Sequence, residues 1–185
     1  MAWLIIGMIL FVGMHLAGSV RAWREAMVER LGEWPYKGVY ALISLIGLVL
    51  AGFGYARAEP IWVWTPLPFG HEIAAALMPV AVVLLVAAYM PTNLKRLSAH
   101  PMLWGVVLFA IAHLLVRGHW ASIVLFGGLG VYSLLAMAMA TIRGERPSAT
   151  VQPFWKDALV IAVGLVVYVG LLLAHPVLFG VAVVN

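Results

Sequence analysis

Six histidines carry most of the chemistry available to this 185-residue chain, which contains no cysteine. A neutral imidazole ligates metals, and its pKa near neutrality suits proton transfer. His15 and His113 fall inside long apolar runs, where an unsolvated imidazole must find a partner. Both have small neighbours that leave room for a flat ligand: Gly18 and Ser19 follow His15 by three and four residues, and Gly105, Ala110 and Ala112 precede His113. His100 and His71 each open an apolar run and His175 closes one; all three suit helix ends as well as ligation. His119 falls in a loop, where solvation is cheap, and reads as an interfacial or hydrogen-bonded helix-end residue. A bis-imidazole haem site in a helical bundle takes one histidine from each of two helices. Composition alone does not choose between such a site and a proton relay. Glu72, at the entry of the third apolar run, is the one carboxylate within the runs, and this scarcity disfavours a relay or a cation pump. Without cysteine there is no disulfide, no thiolate-ligated haem, no iron–sulfur cluster, no CxxCH attachment and no Cys-type zinc site.

The elements that must position these residues are membrane helices. The chain is 65% hydrophobic and 10% charged, with a mean hydropathy of +1.06, outside the range of soluble domains. A span needs about 20 apolar residues. Six such runs are legible, at Ala2–Val20, Gly38–Ala56, Gly70–Met90, His100–Val116, Trp120–Ile142 and Ala158–His175. The fold class is therefore all-α, a polytopic membrane bundle of about six transmembrane helices in a single domain over residues 1–185. Continuous apolarity argues against a β-barrel, whose strands alternate. The first run lacks a basic n-region and an A-x-A site and reads as an anchor rather than a signal peptide. The segment after Pro176 is apolar enough to stay in the interface.

Nine of the eleven Lys and Arg fall in the first, third and fifth loops: Arg21, Arg24, Arg30, Lys37, Lys95, Arg96, Arg143, Arg146 and Lys156. Only Arg57 and Arg117 lie in the second and fourth. Basic loops stay cytoplasmic, so both termini are expected outside. The pI of 9.7 is accounted for by these orientation signals, and no nucleic-acid partner is implied.

Ser44, Gly47, Ala51 and Gly54 form a small-residue face on the second span, and Gly127, Gly128 and Gly130 do similar work in the fifth. The loop RAEPIWVWTPLPF from Arg57 to Phe69 suits an extended interfacial segment. HPMLWGVVL at His100–Leu108 echoes HPVLFGVAV at His175–Val183, either a weak trace of duplication or a recurring helix entry with proline in the first turn.

The stretch HPMLWGVVLFAIAHLLVRGHWASIVLFGG at His100–Gly128 resembles the signature of the NnrU family of bacterial inner-membrane proteins. GMHLAGSVRAWR, LGEWPYKGVYALIS and AHPVLFGV are similar to that family too, so the resemblance spans essentially the whole chain. It implies an inner-membrane location and an association with nitrite and nitric oxide reductase expression or assembly in denitrifying bacteria. It also implies kinship with the 15-cis-zeta-carotene isomerase of plants and cyanobacteria, which uses non-covalent haem b. The matching ligand positions are His15 and His113. Ala110 stands where that relative has a cysteine, which puts ligand switching in doubt. Ala99 stands where the family usually has arginine before the HP pair, and Arg96 is one turn away.

The expected site is thus haem b on His15 and His113, with Arg21 and Arg24 near enough to hold propionates, although such arginines also serve as orientation signals. His71 and His100 are second-tier ligands. The topology places His15 in the inner half of the membrane and His113 in the outer half, about 12 Å apart along the axis by helix rise. Depth alone pairs His15 with His100 and His71 with His113. Expected partners are the bilayer, a lipophilic small molecule or nitric oxide, and a respiratory-complex subunit. Isomerase-like haem chemistry is one reading. A cofactor-free, non-catalytic assembly partner for a respiratory reductase is the other. A small transporter is disfavoured, because there is no charged pathway and no clear inverted repeat.

Overall fold

The computed structural model describes residues 1–181 and 183. Among them the chain is helical, with one isolated bridge between Trp62 and His119. The elements are α1 (Ala2–Ser19), α2 (Arg21–Leu31), α3 (Glu33–Ala56), α4 (Gly70–Ala87), the single turn α5 (Leu94–Leu97) and α6 (Pro101–Val116). Then α7 (Trp120–Ser122), a π-helical turn (Ile123–Gly127) and α8 (Gly128–Ile142) run on as one helix, followed by α9 (Phe154–Phe179). Five helices are long and apolar enough to cross a bilayer: α1, α3, α4, Trp120–Ile142 and α9. The sixth, α6, is apolar and shorter. The protein is a polytopic helical membrane bundle.

Several boundaries differ from expectation: α3 begins at Glu33 rather than Gly38, α4 ends at Ala87 rather than Met90, and α9 begins at Phe154 rather than Ala158, so Lys37 and Lys156 lie on helices. The first loop is not irregular but holds α2, an eleven-residue helix with no buried residue. Its charges pair along the helix, Arg21 Nε donating to Glu25 at 2.7 Å, the i,i+4 spacing that supports a helix without a core. The third loop carries α5. The last helix does not end at His175 but continues through Pro176 to Phe179, and Gly180, at φ 69°, closes it in the left-handed conformation that glycine adopts at low cost. The rest of the apolar tail, at Ala182, Val184 and Asn185, lies outside the described residues.

In lipid, helices associate through close backbone approach rather than hydrophobic burial. The face Ser44, Gly47, Ala51 and Gly54 is buried as anticipated, and it seats α1. A Cβ on Gly47 would stand 2.7 Å from Phe11 N, while Cβ atoms on Gly7 and Gly54 would meet the backbone of Ala51 and Leu4. Similarly, α6 lies on α4 where Gly105 meets the Ala81 carbonyl. Gly128 abuts Met8 of α1 and Gly130 abuts Ala110 of α6, so α8 is wedged between the two helices that carry His15 and His113. Gly127, grouped with them on sequence, makes no close approach. Finally, α9 packs on α4 at Gly164 and Val83.

The loops sort to two ends. Arg143 Nη1 donates to the Ser19 carbonyl at 3.1 Å, and Ser148 N to the Lys95 carbonyl at 2.9 Å, so the first, third and fifth loops gather at one basic end. Asp157 fastens that end. It accepts from Thr92 Oγ1, Asn93 N and Asn93 Nδ2 at 2.5–2.7 Å. At the other end Val63 N and Trp64 N donate to the Gly118 carbonyl, Trp120 N donates to Ile61, and Trp64 Nε1 reaches the Leu114 carbonyl. The Pro- and Trp-rich second loop is strapped across the fourth.

Candidate functional site

His15 and His113 are prepared alike. Each follows a phenylalanine by four residues and donates Nδ1–H to that residue's carbonyl, His15 to Phe11 at 2.7 Å and His113 to Phe109 at 2.8 Å. A carbonyl can only accept, so in each neutral ring Nδ1 holds the proton and Nε2 holds the lone pair. Neither Nε2 has a hydrogen-bond partner among the described residues. This is the arrangement of a metal-ligating imidazole, whose second nitrogen is held by a backbone oxygen. The preceding phenylalanine also lies tilted against the ring, with centroids 4.2 Å apart for Phe11–His15 and 4.1 Å for Phe109–His113.

Their surroundings differ. His15 lines a cavity of about 330 Å³ at the basic end, bounded by α1, α2, α3 and α8. Tyr40 and Tyr132 flank the imidazole at centroid distances of 5.3 and 5.7 Å, Tyr36 extends the wall, and Arg24 and Lys37 stand with them. The three tyrosine hydroxyls have no protein partner among the described residues. Around Gly18, Ser19 and Arg24 the cavity meets a cleft of about 890 Å³ whose rim carries Arg21, Arg143 and Glu145. Arg21, Lys37 and Arg143 are each bonded to a carboxylate: Glu25, Glu33 and Glu145. Arg24 makes no ion pair among the described residues. Of the two arginines read as anion anchors, Arg24 lines the His15 cavity. Arg21 is 83% exposed, tied to Glu25, and lines the cleft instead.

His113 packs away from that cavity. Its ring is sandwiched between Phe109 and Phe126, the latter stacked at 4.4 Å with an interplanar angle of 27°. Phe126 belongs to the π-helical turn, a local widening that often accompanies functional positions. Tyr132 beside His15 and Phe126 beside His113 lie six residues apart on one continuous helix, about 9 Å of rise. The two imidazoles thus contact different levels of α8 and do not line one cavity.

The second-tier histidines separate too. His71 is exposed at the start of α4. His100 Nδ1 lies 3.8 Å from Glu145 Oε2 while its Nε2 is buried and unpartnered, placing it beside the arginine that reaches Ser19. His175 Nδ1 donates to the Val181 carbonyl at 2.7 Å.

His119 departs from the solvated loop position expected of it. It is 9% exposed, within reach of Ser122 Oγ at 3.2 Å, and that hydroxyl lies 3.0 Å from Tyr55 Oη. The strap Ile61–Trp64 covers it, with Trp62 edge-on at 5.4 Å. Burial pushes its imidazole below the ordinary value, and nearby Arg117 pushes the same way.

Sequence reasoning missed the tyrosine walls of the His15 cavity. The i,i+4 spacing of Tyr36 and Tyr40 was the available signal. Tyr132 is brought in only by the packing of α8 on α1.

Among the described residues, no three His, Cys, Asp or Glu side chains cluster as a metal site. A bare ion of the zinc type calls for three or four protein ligands. A haem iron takes its equatorial ligands from the macrocycle and needs one or two from protein. A lone imidazole with its lone pair free, beside an unpaired arginine, fits the second kind of group.

The family model described as NnrU protein matches residues 3–183. No curated protein and no solved structure matches the chain.

Proposed function

The chain belongs to the NnrU family, and on that premise we propose that this multi-pass membrane protein holds non-covalent haem b at transmembrane histidines, with His15 the ligand its geometry supports best. The observation that carries this reading is the single-tautomer imidazole of His15, its Nδ1–H committed to Phe11 and its Nε2 left free on a cavity shared with Arg24. The Phe11 carbonyl orients the ring and fixes its tautomer. Arg24 lines this cavity and has no ion pair within 4 Å among the described residues, although Glu33 lies near enough to feel its charge, and its guanidinium could take a propionate. The hydroxyls of Tyr36, Tyr40 and Tyr132 give the cavity polar contacts between apolar helices. Such a chamber suits a lipophilic or small neutral ligand. If bound there, haem would supply a redox-active iron, with His15 as the residue to hold it.

The setting we propose is the bacterial inner membrane, with both termini periplasmic and the basic end, hence the His15 cavity, in the cytoplasm. The metabolism served is that of nitrite and nitric oxide. Haem-dependent isomerisation of a lipophilic polyene is the alternative chemistry for the same site.

The test is a visible spectrum of protein purified in mild detergent from haem-replete cells. A Soret band retained in His71→Ala and lost in His15→Ala supports the reading. A folded, colourless protein that haemin cannot reconstitute overturns it and leaves a cofactor-free assembly partner as the function.

A further inference from the structure

The second loop lies across the fourth as a strap with one imidazole beneath it. Pro60, Pro66 and Pro68 bracket Ile61–Trp64, so this stretch forms no helix of its own and finds its backbone partners in the fourth loop. Val63 N and Trp64 N share the Gly118 carbonyl at 2.8 and 3.1 Å, and Trp120 N donates to the Ile61 carbonyl at 3.0 Å. Gly118 is required by this contact, since a Cβ there would meet the Trp64 carbonyl. The outer side of the strap is open, with Ile61 and Trp62 each 53% exposed. On its inner side the His119 ring is closed in by Tyr55 of α3, by Ser122 and by the edge of Trp62. Arg117 is the charged group whose field the ring feels. No carboxylate lies within 4.0 Å of it among the described residues.

A ring so placed is suited to the neutral state. His119 directly precedes the helix that runs from Trp120 to Ile142, whose dipole presents its positive end there and disfavours a cation. An imidazolium also has two N–H donors to satisfy. The one acceptor in reach among the described residues is Ser122 Oγ, 3.2 Å from Nδ1 and 3.5 Å from Nε2. That hydroxyl is fully buried and already shared with Tyr55 Oη at 3.0 Å. A proton taken up beneath the closed strap leaves a buried charge with an unmet donor, and water reaches it only where the strap lifts. Burial and Arg117 both make the covered ring the weaker base, so proton uptake favours the uncovered state.

We propose that Ile61–Trp64 is an acid-released latch with His119 as its catch, bonded to Gly118 while the imidazole is neutral and lifted from the fourth loop once it is protonated. The device answers to the pH on the side of the membrane that the second and fourth loops face, and it is independent of what His15 holds. Lifting uncovers the Tyr55–Ser122 hydroxyl pair. The ring of Tyr55 lies edge-on to Phe126 at 5.8 Å, so what the latch covers continues into the π-helical turn.

The experiment follows hydrogen exchange in the full-length protein in detergent, corrected for the intrinsic pH dependence of amide exchange. Its reporters are the amides of Val63, Trp64 and Trp120, which hold the strap closed. Between about pH 7.5 and about pH 5.5 their protection should fall about tenfold in the wild type while the amides of α1 keep theirs. His119→Asn, neutral across that range, should show a change of less than about twofold; His119→Gln takes its place if the asparagine variant fails to fold. Spin labels on Val63→Cys and Glu72→Cys, both exposed and on a cysteine-free background, give a second readout. Their distance distribution should be narrow at the higher pH and broad at the lower. Protection and label distances that do not change with pH in the wild type overturn the proposal. So does a fall undiminished in the His119 variant, or an equal fall in α1.

Discussion

At the scale of single residues, the candidate site turns on which nitrogen of an imidazole is occupied. His15 lies one turn from the carbonyl that takes its Nδ1 proton, and the same spacing recurs at Phe109 and His113. That pattern was visible in the sequence as two F-x-x-x-H runs, but its meaning was not, because it depends on ring rotamers. The two arginines are separated by packing as well. Arg24→Gln should weaken haem retention about fivefold, in line with about 1 kcal/mol for an exposed charge. Arg21→Gln, already paired with Glu25, should change retention by less than twofold in the same titration. His119 provides a residue-scale test of the opposite end. Its folded-state pKa lies below the ordinary histidine value, so the unfolded chain binds the proton more readily than the native one. Its contribution to stability is therefore present above about pH 6.5 and lost as pH falls towards the folded pKa. Thermal melts in detergent should show a decline between pH 7 and pH 5 that His119→Asn flattens. An unchanged slope in that variant would count against the buried neutral ring.

Among the elements, α1 and α3 form the tightest pair, and their contact is made of absent side chains. Gly47→Leu should destabilise the bundle by at least about 2 kcal/mol, because the new side chain meets the α1 backbone at Phe11 rather than a flexible side chain. Gly52→Leu on the same helix, where a Cβ meets nothing within 4 Å, should express and melt like the parent. Equal losses in the two variants would refute the assigned face. That face was legible in the sequence, since lipid leaves small-residue stripes as the main packing signal. The π-turn at Ile123–Gly127, which carries Phe126 against His113 and Phe109, was not legible, because a backbone register leaves no mark in the hydropathy pattern. Nor was α2, which buries no residue and carries a single i,i+4 ion pair, Arg21–Glu25.

Over the whole molecule, six apolar runs became six apolar helices because span length is fixed by bilayer thickness, a constraint outside the protein. The burial of His119 was hidden, because it needs the second loop to strap across the fourth, a pairing of residues distant in sequence. The joint end of the first, third and fifth loops follows from an even number of crossings between them, and the structure adds the bonds that tie them: Arg143 to Ser19, Ser148 to Lys95 and Asp157 to Asn93. Which end faces the cytoplasm is testable on a background without native thiols. In intact cells with a permeabilised outer membrane, an impermeant maleimide should label Glu59→Cys and spare Arg30→Cys and Ser148→Cys. Labelling of Ser148→Cys together with Glu59→Cys would overturn the orientation.

The central claim is that His15, fixed by Phe11 and opening on the Arg24 cavity, holds a haem. The most direct measurement is the Soret absorbance per protein of the wild type and of His15→Ala, purified side by side and matched for folding by circular dichroism. The account predicts close to one haem per chain in the wild type and less than a tenth of that in the variant. Equal haem content in both, or none in either after haemin reconstitution, would contradict it.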